Sequence, residues 1–434
     1  MNMQNPRKTS LSRHHKNVRT GTVVPGRGRD FSSKAEMIHP YFCWLGIFLS
    51  FGVSLALFGS GLLDVQEYFY APALLLIGFY TLHSILTDEQ RYESRTIRQV
   101  IPKAIGKYIL WGLIIYGVTR FYAAHPLYRE FTPNTRRFFG DFLILFLILG
   151  LPYFFLAEKF RYCQDNVMGD PYLRILSLLK CLKNREFKLI GRRLAKKSYK
   201  RIYLMAIIRI HYIPIMFEQV CLNLEGVTSF LRGPNFQWNL ASSLAIATAL
   251  AWAIDANNGA IGYFWESWFT KSRFRQIDLH PLHWFVVLIC YAPFMGYAVQ
   301  FVPFLSLVAN SAPLISNSPF NFAIEIALLI FLVLYVLSGS ALNFSTSNLC
   351  YKKIQTKGPY AIVRHPATSF KLLYFFLAFF RYRAAYTFAG FLCYLVWMTV
   401  YICRALVEES FLKKFSDYRR YMKKTRYRFI PRVC

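Results

Sequence analysis

Long apolar runs separated by short polar segments dominate the sequence. Eight runs of spanning length lie near residues 41–62, 68–86, 104–122, 138–157, 203–222, 238–256, 283–306 and 319–340. A bilayer core is about 30 Å thick, and a helix needs about 20 apolar residues to cross it. Because a backbone in lipid must pair all of its own polar groups, each run is predicted to be a transmembrane helix.

Two more apolar stretches, near 369–380 and 384–403, predict a helical hairpin after residue 368. Its first arm is short for a full crossing. The tip residues 381–383 are therefore expected either at the far interface or partway through the bilayer. The predicted fold class is an all-α polytopic membrane protein with about ten transmembrane helices, whose C-terminal hairpin forms the functional site.

Charge predicts the topology. The chain has 52 Lys+Arg against 22 Asp+Glu, a net charge of +30, which in a soluble protein would suggest nucleic acid. Here the basic residues lie between the apolar runs, as the positive-inside rule expects, so membrane lipids and not nucleic acid are the predicted partners. Residues 1–38 are predicted to be a disordered basic tail, and both termini to be cytoplasmic. The endoplasmic reticulum and a bacterial inner membrane are equally compatible.

Residues 171–202 alternate apolar and basic positions at helical spacing. This pattern predicts either an amphipathic helix on the cytoplasmic surface or an ordinary solvated helix. None of the nine cysteines forms a CxxC pair, so no metal site is predicted.

Several ionisable or amide residues lie inside predicted spans, where burial is costly and function is a common reason for keeping them. They are Arg209, His211, Glu218, Gln219, Asp255 and Glu325. Glu218, Asp255 and Glu325 fall near predicted span ends, where water is within reach. Arg209 and His211 are the stronger candidates for a role in a lipid-binding cavity.

A polar cluster precedes the hairpin. Gly358-Pro359 predicts a turn, and Tyr360 follows with an aromatic face and a hydroxyl. Pro366 suits the first turn of a new helix, whose free N–H groups would lie beside Arg364 and His365. Such a corner attracts an anion such as a carboxylate.

A second polar cluster follows the hairpin. Arg404 and Glu408 are four residues apart and share a helix face, with Glu409 next to them. The hairpin would bring both clusters to one membrane face. An anion-binding corner, two carboxylates and many aromatic rings suit S-adenosylmethionine, whose sulfonium is attracted to aromatic faces. Plain positive-inside charges and a surface ion pair are the alternative interpretation.

The stretch 348–431 resembles the C-terminal core of the isoprenylcysteine carboxyl methyltransferases and the related membrane phospholipid methyltransferases. The shared elements, in order and spacing, are Gly358-Pro359-Tyr360, Arg364-His365-Pro366, the hairpin, Glu408-Glu409 and the tail through Arg428-Phe429-Ile430-Pro431. One departure is Thr368, where the family usually has a tyrosine; it bears on the identity of the acceptor.

The resemblance implies an S-adenosylmethionine-dependent methyltransferase acting on a lipophilic acceptor, either an isoprenylcysteine carboxylate or a lipid headgroup. Tyr360, His365, Pro366 and Glu408-Glu409 would bind the cofactor, and Arg364, Arg404 and Glu408 would be catalytic. The chain would then divide into the tail 1–38, an eight-span region 39–340 of unknown role, and a methyltransferase-like core 341–434.

Two other functions are compatible with the sequence. A sterol-reductase-like, NADPH-dependent membrane oxidoreductase is favoured by the large upstream membrane region. A transporter or scaffold would bind no cofactor.

Overall fold

The computed structural model describes residues 37–87, 92–131, 133–162, 170–233, 236–266, 274–304, 307, 310–314 and 319–433. Eight of the described helices are long and apolar enough to cross a membrane. They are α1 (Pro40–Gly59), α2 (Val65–Thr87), α3 (Ile97–Ala124), α5 (Pro133–Lys159), α8 (Lys197–Arg232), α9 (Leu240–Phe264), α12 (Pro319–Ser340) and α15 (Phe388–Leu412). The all-α polytopic prediction is thereby confirmed. The predicted tail 1–38 lies outside the described residues except for its last two.

Shorter elements connect these helices. The helices are α4 (Pro126–Phe131), α6 (Pro171–Lys183), α7 (Phe187–Leu194), α10 (Pro281–Leu288), α11 (Phe294–Phe301), α13 (Pro359–Ile362), α14 (Pro366–Phe380) and α16 (Ser416–Lys424). Two antiparallel strand pairs join β1 (Tyr92–Ser94) to β2 (Phe160–Tyr162) and β3 (Gln276–Ile277) to β4 (Cys350–Tyr351).

Two of the ten predicted spans differ from the expectation. The run 283–306 forms α10 and α11 instead of one long helix. Pro293 stands between the two helices and has no N–H with which to continue the hydrogen-bond ladder of α10. The first hairpin arm, α14, is an apolar helix of 15 residues, shorter than the other spans. The count of ten crossings therefore stays a prediction.

Helix α8 is the most enclosed of the eight candidate spans, because two thirds of its most apolar stretch is buried. Pro214 lies inside it and leaves the carbonyl of Ile210, one turn earlier, without its usual N–H donor. The hydroxyl of Tyr122 on α3 donates to that carbonyl at 2.9 Å. A neighbouring helix thus satisfies the group that proline frees, which is how membrane helices tolerate proline.

Glu218 lies in the interior of α8, and not near its end as the sequence suggested, because the helix continues to Arg232. Its carboxylate accepts hydrogen bonds from the Asn134 amide at 2.8 Å and the Thr135 backbone N–H at 3.2 Å. Those groups belong to the first turn of α5, so Glu218 caps a neighbouring helix. The Glu218 side chain therefore serves to hold α8 against α5.

The other flagged residues are also placed. Arg209 pairs with Glu266 and lies over the ring of Phe274. The Nε2 atom of His211 is buried without a hydrogen-bond partner among the described residues. Asp255 lies nine residues before the end of α9, because that helix extends to Phe264 and not to 256 as predicted.

The segment 171–202 is divided between three helices. Helices α6 and α7 are joined by a turn at Asn184–Arg185, and α8 begins at Lys197. Arg185 there has a φ of +58°, a left-handed conformation that ends α6. The prediction of a single helix over 171–202 is therefore wrong, and its location on the membrane surface stays a prediction.

The tip of the hairpin reaches the far end of α12. Arg381 pairs with Glu325, in the first two turns of α12, at 3.3 Å. The backbone N–H of Leu314 donates to the Arg381 carbonyl at 2.9 Å, and that of Arg383 donates to Ala312 at 3.1 Å. The tip therefore lies beside the first two turns of α12, and its position in the bilayer stays a prediction.

The loop after α12 folds over the end of α9. A Cβ on Gly262 would meet the Thr346 carbonyl oxygen at 1.9 Å, so this close approach requires glycine. The buried ammonium of Lys352 donates to the carbonyls of Gly262 and Phe344 and lies 4.0 Å from the centre of the Phe274 ring. This clamp fixes the position of the intervening residue Asn348.

Burial lowers the pKa of Lys352 from its ordinary 10.5 to about 7, although the charge of Glu266 raises it. Between those values the unfolded chain binds more protons than the folded one, so this lysine makes stability rise with pH from about 7 to 10.5. We expect Lys352→Met to remove that rise. The thermal midpoint of the detergent-purified protein, measured from pH 7 to 10, checks it. The exposed Lys183→Met is the control, and an unchanged slope in Lys352→Met would contradict the assignment.

Candidate functional site

The hairpin brings the two predicted polar clusters together. Arg364 precedes α14 and Glu409 lies near the end of α15, 45 residues later, yet the Nε and Nη2 atoms of Arg364 lie 3.3 Å from the Glu409 carboxylate. Both side chains are buried, with 6% and 1% of their surfaces exposed. Two ends of an apolar hairpin are thus joined by an ion pair that solvent does not reach.

Local sequence builds the first half of this corner. Gly358 has a φ of +61°, and a Cβ there would lie 2.8 Å from Pro40, so the turn requires glycine. The one-turn helix α13 follows, and then an extended segment ends at His365, directly before α14. The prediction that a helix begins at Pro366 is confirmed.

The C-terminal tail closes the corner. The backbone N–H groups of Arg364 and His365 donate to the carbonyls of Tyr427 and Arg428, each at 2.9 Å. The hydroxyl of Ser369 donates to the Phe429 carbonyl at 2.7 Å. The aromatic-basic tail is therefore hydrogen-bonded to the motif that precedes the hairpin.

The anion at this corner is the chain's own Glu409. Besides Arg364, its carboxylate lies 3.4 Å from Nε2 of His365, 3.0 Å from Nζ of Lys413 and 3.3 Å from Nε of Arg428. The His365 nitrogen lacks hydrogen-bond geometry and is an unsatisfied buried polar atom among the described residues. Arg364 and His365 do lie together before α14, but the carboxylate beside them is Glu409. Binding of an external anion at this corner stays a prediction.

Tyr360 belongs to the packing of this corner. It is buried against Tyr418 and Tyr421, and its backbone carbonyl accepts the Tyr421 hydroxyl at 2.7 Å. Burial, and secondarily the charge of Glu408, raise the pKa of the Tyr360 phenol well above its ordinary value, so the phenol stays a neutral donor. Thr368 is half-buried in the first turn of α14.

Glu408 and Arg404 face a separate pocket. The pocket is lined by Asp278, Val287, Asn348, Leu349, Cys350, Arg404, Glu408 and Phe411. Arg404 donates to Oδ1 of Asn348 at 2.7 Å and lies 5.2 Å from the centre of the Tyr291 ring. Glu408 is half-buried and has no hydrogen bond or ion pair within the described part of the chain. The two adjacent glutamates therefore have different surroundings.

An aspartate–histidine pair beside this pocket was not predicted from the sequence. The buried carboxylate of Asp278 contacts Nδ1 of His283, and Nε2 of His283 lies 3.3 Å from the Ser410 hydroxyl. The Trp284 indole N–H donates to the Asp278 carbonyl at 2.7 Å, which fixes the loop. The sequence did contain a signal for this pair. Asp278 comes three residues before Pro281, where α10 begins, and His283 comes two residues after it.

Comparison of the chain with protein-family models, with curated proteins and with solved structures finds no match.

The different surroundings of the two glutamates have a measurable consequence. We expect Glu409→Gln to destabilise the protein by about 3–5 kcal/mol, because removing one partner leaves buried positive charges uncompensated. Glu408→Gln should change stability by less than about 1 kcal/mol, since its carboxylate has no ion pair to lose. Denaturant unfolding of both variants in detergent measures the two changes in stability. Equal losses would contradict the assignment of a structural role to Glu409 and not to Glu408.

Proposed function

We propose that this protein is an integral membrane methyltransferase that transfers a methyl group from S-adenosylmethionine to a lipophilic acceptor. The observation that carries the proposal is the contact of Arg364 with Glu409, which joins the two motifs predicted to form one site. The second support is the pocket beside it, which contains Arg404, Glu408 and Asn348.

The chemistry of the pocket fits the cofactor. Arg404 is a guanidinium with donors suited to a carboxylate, and Glu408 is a carboxylate suited to an ammonium group or ribose hydroxyls. Val287, Leu349 and Phe411 supply the apolar part of the lining. The space between them is about the size of one water molecule, so a purine ring would require these side chains to move apart. The unsatisfied Nε2 of His365 is a further polar atom, in the Arg364–Glu409 corner and not in the lining of this pocket.

Each residue then has a distinct task. Bound S-adenosylmethionine would supply an electrophilic methyl group on a sulfonium. Arg404 and Glu408 would bind and orient polar groups, and Tyr360 would contribute a neutral donor near Glu408. Arg364, Pro366 and Glu409 would hold the corner rigid, which matters because positioning and exclusion of water dominate such a transfer.

The acceptor decides whether a base is needed. A carboxylate acceptor has no proton to lose, whereas an amine or hydroxyl must lose one. Besides Glu408 and His365, the structure adds His283, whose ring is oriented by Asp278 through its Nδ1 atom. An aspartate in this position holds the imidazole in one tautomer, which prepares the other nitrogen as a base.

Binding of labelled S-adenosylmethionine to the purified full-length protein tests the proposal directly. We expect saturable binding that Glu408→Gln and Arg404→Gln each weaken by about tenfold or more, since each removes a charge-assisted hydrogen bond. Lys183→Gln, an exposed residue of α6, is the matched control and should bind as the wild type does.

NADPH serves as the competing ligand in the same assay. Saturable binding of NADPH, without binding of S-adenosylmethionine, would favour the sterol-reductase-like function. Absence of both, in protein with an unchanged thermal midpoint, would favour a transporter or scaffold.

A further inference from the structure

A second polar cluster lies among the apolar helices, and its residues Asp255, Tyr335 and Lys371 are not part of the pocket lining described above. Helix α9 contributes Asp255, α12 contributes Tyr335 and α14 contributes Lys371. The Tyr335 hydroxyl donates to Oδ2 of Asp255 at 2.8 Å, and Nζ of Lys371 lies 3.5 Å from the same hydroxyl. The sequence analysis did not single out Lys371, a lone cation in an otherwise apolar hairpin arm.

The cluster lies within the apolar lengths of α9 and α14. Asp255 is nine residues before the end of α9, a distance of about 14 Å along the helix, and Lys371 is about 8 Å beyond the start of α14. A charged side chain within an apolar helix is costly in a bilayer, so its presence there points to a function.

The charges of Asp255 and Lys371 are not in direct contact. A tyrosine hydroxyl lies between them, and within the described residues no ion pair of 4.0 Å or less joins the two. An ion pair kept only for helix packing would place the charges together, as Arg364 and Glu409 are placed. Lys371 therefore keeps N–H donors that no described group accepts.

Aromatic rings surround the ammonium of Lys371. The ring centres of Tyr335, Tyr401, Phe375 and Trp252 lie 5.0, 5.2, 5.8 and 6.0 Å from Nζ. Lys371 and these four aromatic residues are half-buried and not enclosed. The rings stabilise the cation and form walls that suit an acyl or isoprenoid chain.

The local charge is positive. Arg404 lies near enough to interact with both Asp255 and Lys371, so the cluster contains two cations and one carboxylate. A ligand that approaches the free N–H donors of Lys371 must supply acceptor oxygens. Negative charge on those oxygens would balance the excess of positive charge in the cluster. A cationic ligand is excluded because Lys371 itself occupies the aromatic box.

We propose that Lys371, with its aromatic walls, binds the oxyanion of a lipid, a carboxylate or a phosphate, inside the membrane. Asp255 acts through Tyr335 to orient the site and weakens binding by its negative charge. This inference does not depend on methyl transfer, because the site would bind its lipid whichever reaction occurs at Glu408.

The test is binding of three labelled probes to the purified full-length protein in neutral detergent. Oleate carries a carboxylate, dioleoyl phosphatidate carries a phosphate, and oleyl alcohol carries neither. We expect one or both anionic lipids to bind more tightly than the alcohol, and the stronger one identifies the oxyanion. Lys371→Gln should weaken that binding by about tenfold or more, whereas Lys371→Arg should keep most of it.

Asp255→Asn distinguishes a binding role from a structural one. It removes a negative charge beside the oxyanion, so binding of the anionic lipid should become tighter while oleyl alcohol binds as before. Lys183→Gln should alter neither probe. Weaker anion binding in Asp255→Asn, unchanged anion binding in Lys371→Gln, or equal loss of all three probes would each overturn the proposal. The thermal midpoint shows whether Lys371→Gln folds. If it does not fold, the affinity of Asp255→Asn for the anionic lipid tests the proposal: tighter binding supports it and weaker binding overturns it.

Discussion

The buried carboxylate of Glu409 is the interaction on which the C-terminal structure depends. It joins the segment before the hairpin, through Arg364 and His365, to the tail after it, through Arg428. A carboxylate taken out of water is stable only if cations and hydrogen bonds compensate it. Because neighbouring helix residues point about 100° apart, fixing Glu409 in this cluster directs Glu408 elsewhere. The way Glu409 is held therefore places Glu408 in the lining of the pocket.

Elsewhere in the membrane region, polar groups mostly serve packing. The Tyr122 hydroxyl replaces the hydrogen bond that Pro214 removes, Glu218 caps α5, and the Trp44 indole donates to the Leu337 carbonyl at 2.9 Å. Since lipid offers no hydrogen bonds, each pairing removes a penalty that would otherwise fall on the fold. Lys371 and Arg404 make side-chain hydrogen bonds to Tyr335 and Asn348, respectively, and each keeps further N–H donors.

The two proposed sites would divide the work of the proposed membrane methyltransferase. Glu408 and Arg404 lie in the last three turns of α15, whereas Lys371 lies in the second turn of α14. Arg404 interacts electrostatically with Lys371 and so connects the two. A polar cofactor and a lipid come from different phases, and under these two proposals each would bind close to the phase that contains it.

The sequence alone determined the features that depend on neighbouring residues: the apolar spans, the glycine turn at Gly358, the helix start at Pro366 and the pairing of two polar clusters by a hairpin. Features that depend on contacts between distant residues were decided by the tertiary structure. It showed which of Glu408 and Glu409 is buried, that α9 continues past Asp255, and that Asp278 meets His283. Periodicity records which face of a helix is apolar, but not which side chain on another helix will meet it.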